Sequence, residues 1–205
     1  MYIIGITGGI GTGKSTVAGL CREAGLPVLD ADEISHSVTK PNGLAIPKIR
    51  ETFGEEYISE DGSLNRKKIS NLVFLDKKAL DKLSIIVHHH TLNQMGIYLD
   101  QLKSAGEKVA VLDVPIPVKE GFLDRCDIVW NVVTDEKIRL ERLQKRGHSL
   151  ADAKRRIEVQ MTTEEYSNLA DLDIDNNSDF DNLRKQVNQL LEKYLGARGL
   201  PYNKI

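Results

Sequence analysis

A chain that opens Met1-Tyr-Ile-Ile-Gly-Ile-Thr-Gly-Gly-Ile-Gly-Thr-Gly-Lys-Ser-Thr16 has few ways to fold those sixteen residues. Tyr2, Ile3, Ile4 and Ile6 are a short apolar, largely β-branched run, which predicts a strand. Gly8, Gly9, Gly11 and Gly13 remove side chains where the backbone must turn inward. Lys14, Ser15 and Thr16 then open a helix. From Gly8 to Ser15 the spacing is G-x-x-x-x-G-K-[ST]. In that pattern loop amides and a helix N-terminus cradle phosphates, while the Lys and the Ser/Thr serve the β/γ-phosphates and Mg²⁺. A bare turn between a strand and a helix needs the glycines but has no use for Lys14.

A chain of 205 residues suits one domain with inserted subregions. Its formal net charge of −2 gives no basic field for nucleic acid, so any nucleotide it binds is expected to be small. There is no apolar run of membrane-spanning length and no cationic, apolar leader at the N-terminus, so no membrane partner and a cytoplasmic location are expected. Cys21 and Cys126 share no zinc-type spacing and read as small core residues.

Downstream, Val17, Leu20, Cys21 and Ala24 recur at helical spacing until Gly25. Pro27-Val-Leu29 is a second strand that runs into Asp30-Ala-Asp32-Glu33. Carboxylates at the carboxyl end of a parallel strand lie where open α/β sheets place their ligands. Helical patterns follow from Glu33 to Phe53, broken at Pro41-Asn-Gly43, and then from Asn65, a candidate cap. Arg66, Lys67 and Lys68 stand in the first turn of that helix, an unfavourable place for cations. This points to a partner anion or to a solvated basic face. Lys77 to Lys103 is a long helix with Leu80, Leu83 and Val87 on one stripe, Met95, Tyr98 and Leu102 on a later one, and Gly96 as a weak point. His88-His-His90 invites a metal reading. Adjacent helical residues point about 100° apart, so the three rings cannot converge on one ion.

Lys108 to Asp113 is a continuous apolar run ending in an acid, and Asp127 to Val133 repeats the strand signal. Two helices, from Asp135 to Arg146 and from Ser149 to Gln160, flank Gly147. They carry Arg139, Arg142, Lys145, Arg146, Lys154, Arg155 and Arg156. The segment reads as a mobile lid over phosphates or, given the interspersed Glu136, Glu141, Asp152 and Glu158, as a salt-laced exposed hairpin. Leu172 to Asp175 is a last strand. A final helix turns Phe180, Leu183, Val187, Leu190, Leu191 and Tyr194 to the core, and the tail from Gly196 is expected to fray. Alternating strands and helices predict an α/β fold with about five parallel strands covered on both faces.

A phosphate loop alone does not choose between switch, motor and kinase. The Asp-x-x-Gly and Asn-Lys-x-Asp spacings of a regulatory GTPase and the Leu-Ser-Gly-Gly of a transporter ATPase do not occur. A small kinase, with an acid activating an acceptor hydroxyl and lid cations neutralising the moving phosphoryl group, fits what remains. A nucleoside or nucleotide kinase on the same core and a non-catalytic ATP-binding regulator are the alternatives.

Several motifs, taken in order, are similar to those of the dephospho-coenzyme A kinase family. They are Thr7 to Thr16, Asp30-Ala-Asp32, Asp61-Gly-x-Leu-Asn-Arg66 with Val73-Phe74, Val114-Pro115, Arg142 with Arg146, Gln160, Ala170-Asp171 and Ile174-Asp-Asn176. The resemblance implies a nucleotide-kinase-like P-loop fold over 1–205, with a helical acceptor-binding subregion at about 33–104 and a lid at about 139–160. It implies transfer of the ATP γ-phosphoryl to the ribose 3′-hydroxyl of dephospho-coenzyme A, the last step of coenzyme A synthesis. In that reading Asp32 is the general base and Asp30 orients. Lys14 and the amides of Gly11, Thr12, Gly13, Ser15 and Thr16 hold the phosphates. Ser15 and Asp113 serve Mg²⁺, Arg146 and Arg142 close over the transferring group, Asn176 meets the adenine, and Arg66 and His88 lie on the acceptor side. The partners are the two small substrates, for a monomer or weak homo-oligomer. The chain departs from the family where it reads His88-His89 for His-Pro, and Pro115-Ile-Pro-Val-Lys119 for Pro-Leu-Leu-x-Glu. A second proline stiffens that segment and a cation replaces an acid.

Overall fold

The computed structural model describes residues 1–205. In chain order its elements are β1 (Tyr2–Thr7), α1 (Lys14–Glu23), β2 (Val28–Asp30), α2 (Ala31–Ser37), α3 (Ile46–Phe53), α4 (Arg66–Leu75), α5 (Lys77–Ser104), β3 (Val109–Asp113), β4 (Ile128–Val133), α6 (Glu136–Lys145), α7 (Leu150–Glu158), α8 (Thr163–Leu169), β5 (Leu172–Asp175) and α9 (Phe180–Tyr194). Short 3-10 turns occupy Glu55–Tyr57, Leu123–Arg125 and Gly196–Arg198. The chain forms two compact units, one of Met1–Asp30 with Leu102–Ile205 and the other of Ala31–Gln101. No helix is long and apolar enough to cross a membrane.

The first unit is a five-stranded sheet in the order β2-β3-β1-β4-β5, and every pairing is parallel. All five residues of β3 are buried, as a continuous apolar run in a covered parallel strand requires. Ile4 and Ile6 of β1, Trp130 and Val132 of β4, and Ile174 of β5 pack with Val17 and Leu20 of α1 and with Leu183, Val187 and Leu191 of α9. The connections leaving β1 and β3 run to opposite sides of the sheet. The crevice at their carboxyl ends is the topological switch point, where such sheets bind ligands. The glycine loop after β1 and Asp113 at the end of β3 both lie there.

Two expectations for this unit need correction. The buried stripe of α9 begins at Leu183; Phe180 is 49% exposed, with the Arg184 guanidinium over its ring at 5.1 Å. The tail does not fray. Leu200, Tyr202 and Ile205 pack against the core, the Asn203 N–H donates to the Ala24 carbonyl at 2.7 Å, and the Ile205 N–H donates to Asn188 Oδ1 at 3.0 Å. Three large apolar side chains within six residues give the segment enough surface to bury. The sequence reading also leaves α8 out, although Thr162 and Glu165 close a capping box at its start. Cys21 is a core residue as expected, whereas Cys126 is only half-buried; burial pushes both thiols up to about 12.

The second unit is helical. Pro41-Asn-Gly43 separates α2 from α3, and Asn42 takes a left-handed φ of 62° there. Asn65 caps α4 by accepting the Lys68 N–H at 3.0 Å. α5 runs through Gly96 without interruption. Its buried residues are Ala79, Thr91, Met95 and Leu99, whereas Leu80, expected on the inward stripe, is 43% exposed.

Candidate active site

The phosphate loop is held from behind. Gly9 O accepts both the Thr12 N–H, at 3.3 Å, and the Thr12 hydroxyl, at 2.9 Å, which closes the turn from Gly9 to Thr12. The three carbonyls inside and after this turn are then drawn away by side chains. Arg139 Nε donates to Ile10 O at 2.9 Å, and Arg142 Nη1 to Gly11 O at 3.3 Å and Thr12 O at 3.0 Å. Thr12 O also accepts from Asn176 Nδ2 at 2.7 Å and from the Thr134 hydroxyl at 2.8 Å. In a peptide unit the C=O and the next N–H point in opposite directions. Tying back the Ile10 and Thr12 carbonyls turns the amides of Gly11 and Gly13 toward the open side of the loop, while the Thr12 N–H closes the turn onto Gly9 O.

Gly13 completes the cradle. It stands at the N-cap of α1 in a left-handed conformation, φ 99°, with no side-chain cap and no acid in the first turn of the helix. The free amides and the positive end of α1 are thereby kept for an anion. A Cβ on Gly13 would collide with the Asn176 amide, so a glycine is needed for space as well as for φ.

Lys14 Nζ donates to Asp113 Oδ1, and the side chains are 12% and 1% exposed. The other oxygen, Asp113 Oδ2, is buried without a hydrogen-bond partner, as is the Thr7 hydroxyl at the end of β1. Burial raises the Asp113 pKa; Lys14 opposes the shift, and the charge of Asp30, its register partner on β2, adds to it. Ser15 and Thr16 are exposed in the first turn of α1.

Arg142 and Asn176, which the resemblance places on the nucleotide, therefore reach the loop backbone itself. Arg142 Nη2 further donates to Asn176 O at 3.0 Å, and burial, with the neighbouring Arg146 charge, lowers the Arg142 pKa. Arg146 is exposed at the C-cap of α6. Beyond it Asp152 accepts from Arg156 at 2.7 Å, Arg155 at 2.8 Å and His148 at 2.9 Å, and these bonds hold its carboxyl well below the usual range. Within the second unit, Asp32 lies exposed in the first turn of α2, two residues after β2 ends, and His88 lies exposed on α5. Arg66 bonds the Thr39 hydroxyl at 2.9 Å and His36 Nδ1 at 3.2 Å. Of the segment that departs from the family, Pro117 is buried, Lys119 is exposed and Pro115 O accepts the Tyr166 hydroxyl at 3.0 Å.

Two residues beside the loop, Arg139 and Thr134, escape the sequence reading. Arg139 appears there only as one more cation of the basic segment, yet it is buried. It lies one helical turn before the buried Leu143, and that spacing is the signal that could have found it. Gln160, which the resemblance names without a role, accepts the Ile10 N–H at 2.7 Å, and Thr134, which carries no signal of its own in the sequence, reaches Thr12.

A parallel sheet of this order, with a G-x-x-x-x-G-K-S loop after its central strand and a strand-end acid on the loop lysine, defines a P-loop kinase. Comparison with known proteins narrows the class. The family model for dephospho-CoA kinase matches residues 2–182. A dephospho-CoA kinase from Carboxydothermus hydrogenoformans is 36% identical over 193 residues, 94% of either chain. A crystal structure from Thermus thermophilus superposes with TM-score 0.75 at 28% identity, covering 95% of this chain and 98% of that one. The fold of a Campylobacter jejuni dephospho-CoA kinase agrees with TM-score 0.71 at 23% identity, over 96% and 98% of the two chains. The chain belongs to the dephospho-CoA kinase family.

Proposed function

We propose that this chain transfers the γ-phosphoryl group of ATP to the ribose 3′-hydroxyl of dephospho-coenzyme A, the last step of coenzyme A synthesis. The observation that carries this reading is the phosphate loop with its carbonyls tied back and Lys14 set against Asp113, in a chain of this family. With the Thr12 N–H closing its turn on Gly9 O, the amides of Gly11, Gly13, Lys14, Ser15 and Thr16 hold the β- and γ-phosphates, and Lys14 swings its ammonium from Asp113 to the γ-phosphate. Asp32 accepts the proton of the 3′-hydroxyl as its oxygen bonds to phosphorus, and the bond from phosphorus to the bridging oxygen of ADP breaks. Asp30 orients that hydroxyl, and Arg66 and His88 hold the acceptor. Arg146, with Arg142 behind it, balances the charge of the moving group from a lid at 139–160. The helices at 33–104 form the acceptor region, and Asn176 borders the adenine.

Mg²⁺ fits the residues present. Asp113 Oδ2 is a buried oxygen without a partner, and the exposed Ser15 hydroxyl heads α1; a carboxylate and a hydroxyl suit a hard cation that keeps most of its waters. When bound there it would neutralise charge on the β- and γ-oxygens. Incubating the protein with ATP, Mg²⁺ and either dephospho-coenzyme A or a panel of nucleosides tests the reading. Coenzyme A is the expected product, and phosphorylation of nucleosides alone would overturn it.

A further inference from the structure

One residue of the phosphate loop is gripped through both of its peptide units. The Ile10 N–H donates to Gln160 Oε1 at 2.7 Å, and the Ile10 carbonyl accepts from Arg139 Nε at 2.9 Å. Both side chains come from outside the loop, Arg139 from α6 and Gln160 from the segment two residues past α7. The loop glycines are fitted to them. A Cβ on Gly9 would stand 2.7 Å from Arg139 Nη2 and 3.2 Å from Gln160 Oε1, and a Cβ on Gly11 would stand 3.2 Å from the Arg139 carbonyl oxygen. Two of the loop's glycines therefore make room for Arg139 and Gln160, whatever they also do for a phosphate.

Arg139 is a costly residue to place there. It is 6% exposed, and its Nη2 is buried without a hydrogen-bond partner. A buried cation with a bare N–H group destabilises the fold unless something nearby offsets it. A triphosphate arriving on the front of the loop does so, because the two charges then face each other across a single peptide layer.

We propose that Gln160 and Arg139 are positioning residues of the donor site, fixing the two peptide planes at Ile10 so that the Gly11 N–H faces the phosphate before ATP arrives. The proposal rests on the reading of the loop as the ATP site. It makes Gln160 the link between the end of α7 and the loop, so displacement of α7 frees the Ile10 amide and loosens the cradle.

Gln160→Met keeps the side-chain length and removes the acceptor; Gln160→Glu keeps an acceptor oxygen. The full-length protein and both variants are compared by steady-state kinetics and by amide exchange at Ile10, followed by NMR without substrates. For Gln160→Met the KM for ATP rises about tenfold, the KM for dephospho-coenzyme A is unchanged, the Tm is unchanged, and the Ile10 amide exchanges about tenfold faster. Gln160→Glu restores the slow exchange. Its KM for ATP is not the rescue readout, because the new carboxylate repels the triphosphate. Unaltered Ile10 exchange in Gln160→Met, a parallel rise of both KM values, or no recovery of protection in Gln160→Glu would each overturn the proposal. If the wild-type protein makes no coenzyme A, the proposed reaction falls, while Ile10 exchange and the affinity for a non-hydrolysable ATP analogue still decide the clamp.

Discussion

Lys14 and Asp113 bond to each other although each is assigned to a substrate or an ion, and this has a cost that can be measured. Asp113 is buried, and burial raises its pKa while Lys14 holds it down. In Lys14→Met the buried carboxylate loses its counter-charge and at neutral pH must either stay ionised and unpaired or take up a proton, at a cost of about 3 kcal/mol. A raised folded-state pKa means that the folded protein holds the proton more tightly than the unfolded chain. Stability is therefore retained at low pH and lost as pH climbs from the ordinary carboxylate value through the raised one. Thermal melts of wild type and Lys14→Met should lie close together at pH 4 and separate as pH rises to 7; a constant gap would show that Asp113 is not the cause. Asp32, the proposed proton acceptor, is an exposed carboxylate at the start of α2. On the proposed mechanism Asp32→Asn should lower kcat by about a hundredfold or more with ATP affinity nearly preserved, since the substitution removes the proposed proton acceptor and leaves the phosphate loop in place. Equal turnover would remove it from the mechanism. The motif residues of the loop were legible because glycine spacing followed by Lys-Ser has one physical use. Arg139 was not, because residue type carries no depth: its burial on α6 and its bond to the Ile10 carbonyl come from the fold.

At the level of elements, strong periodicity and caps decided what could be read. β3 and β4 were evident as unbroken apolar runs, and Asn65 as a cap, which it is. Gly96 was read as a weak point in α5, yet the helix continues, because a single glycine costs only about 1 kcal/mol inside a long helix. The basic segment was ambiguous for a physical reason: its charges serve different purposes at different depths. Arg139 and Arg142 tie down the loop, whereas Arg155, Arg156 and His148 gather on Asp152 and hold its carboxyl below the usual range. A lowered folded-state pKa stabilises α7 above the ordinary aspartate value, and this contribution disappears as pH falls through the lowered one. Asp152→Asn removes it at all pH values. Amide exchange over residues 150–158 should accelerate in that variant at neutral pH, with little change in β1 or β3. Unchanged exchange in α7 would mean that the cluster is only a screened surface network.

For the molecule as a whole, the alternation of strands and helices implied a parallel sheet but left its order open. The order β2-β3-β1-β4-β5 depends on which strand fills the gap left when the chain passes from β1 to β2, and no local pattern encodes that. It matters because it sets β1 beside β3 and so brings the loop lysine to Asp113. The tail is the other feature invisible to local reading. Residues 196–205 lack a helical or strand period, so they looked frayed, and their order comes from long-range packing against α1 and α9. Leu200, Tyr202 and Ile205 bury apolar surface on the core, and Asn203 and Ile205 bond Ala24 and Asn188. Partial burial of three such side chains stabilises the fold by roughly 2–4 kcal/mol. A chain shortened after Gly199 should therefore melt roughly 5–10 °C lower. Its affinity for ATP, measured below the melt, should match wild type, because the bonds of Asn203 and Ile205 go to Ala24 and Asn188 and not to the phosphate loop. An unchanged Tm would mean that the tail adds nothing to the core. A lost ATP affinity in a folded shortened chain would mean that the tail supports the phosphate loop through α1, whose first turn is the floor of the site.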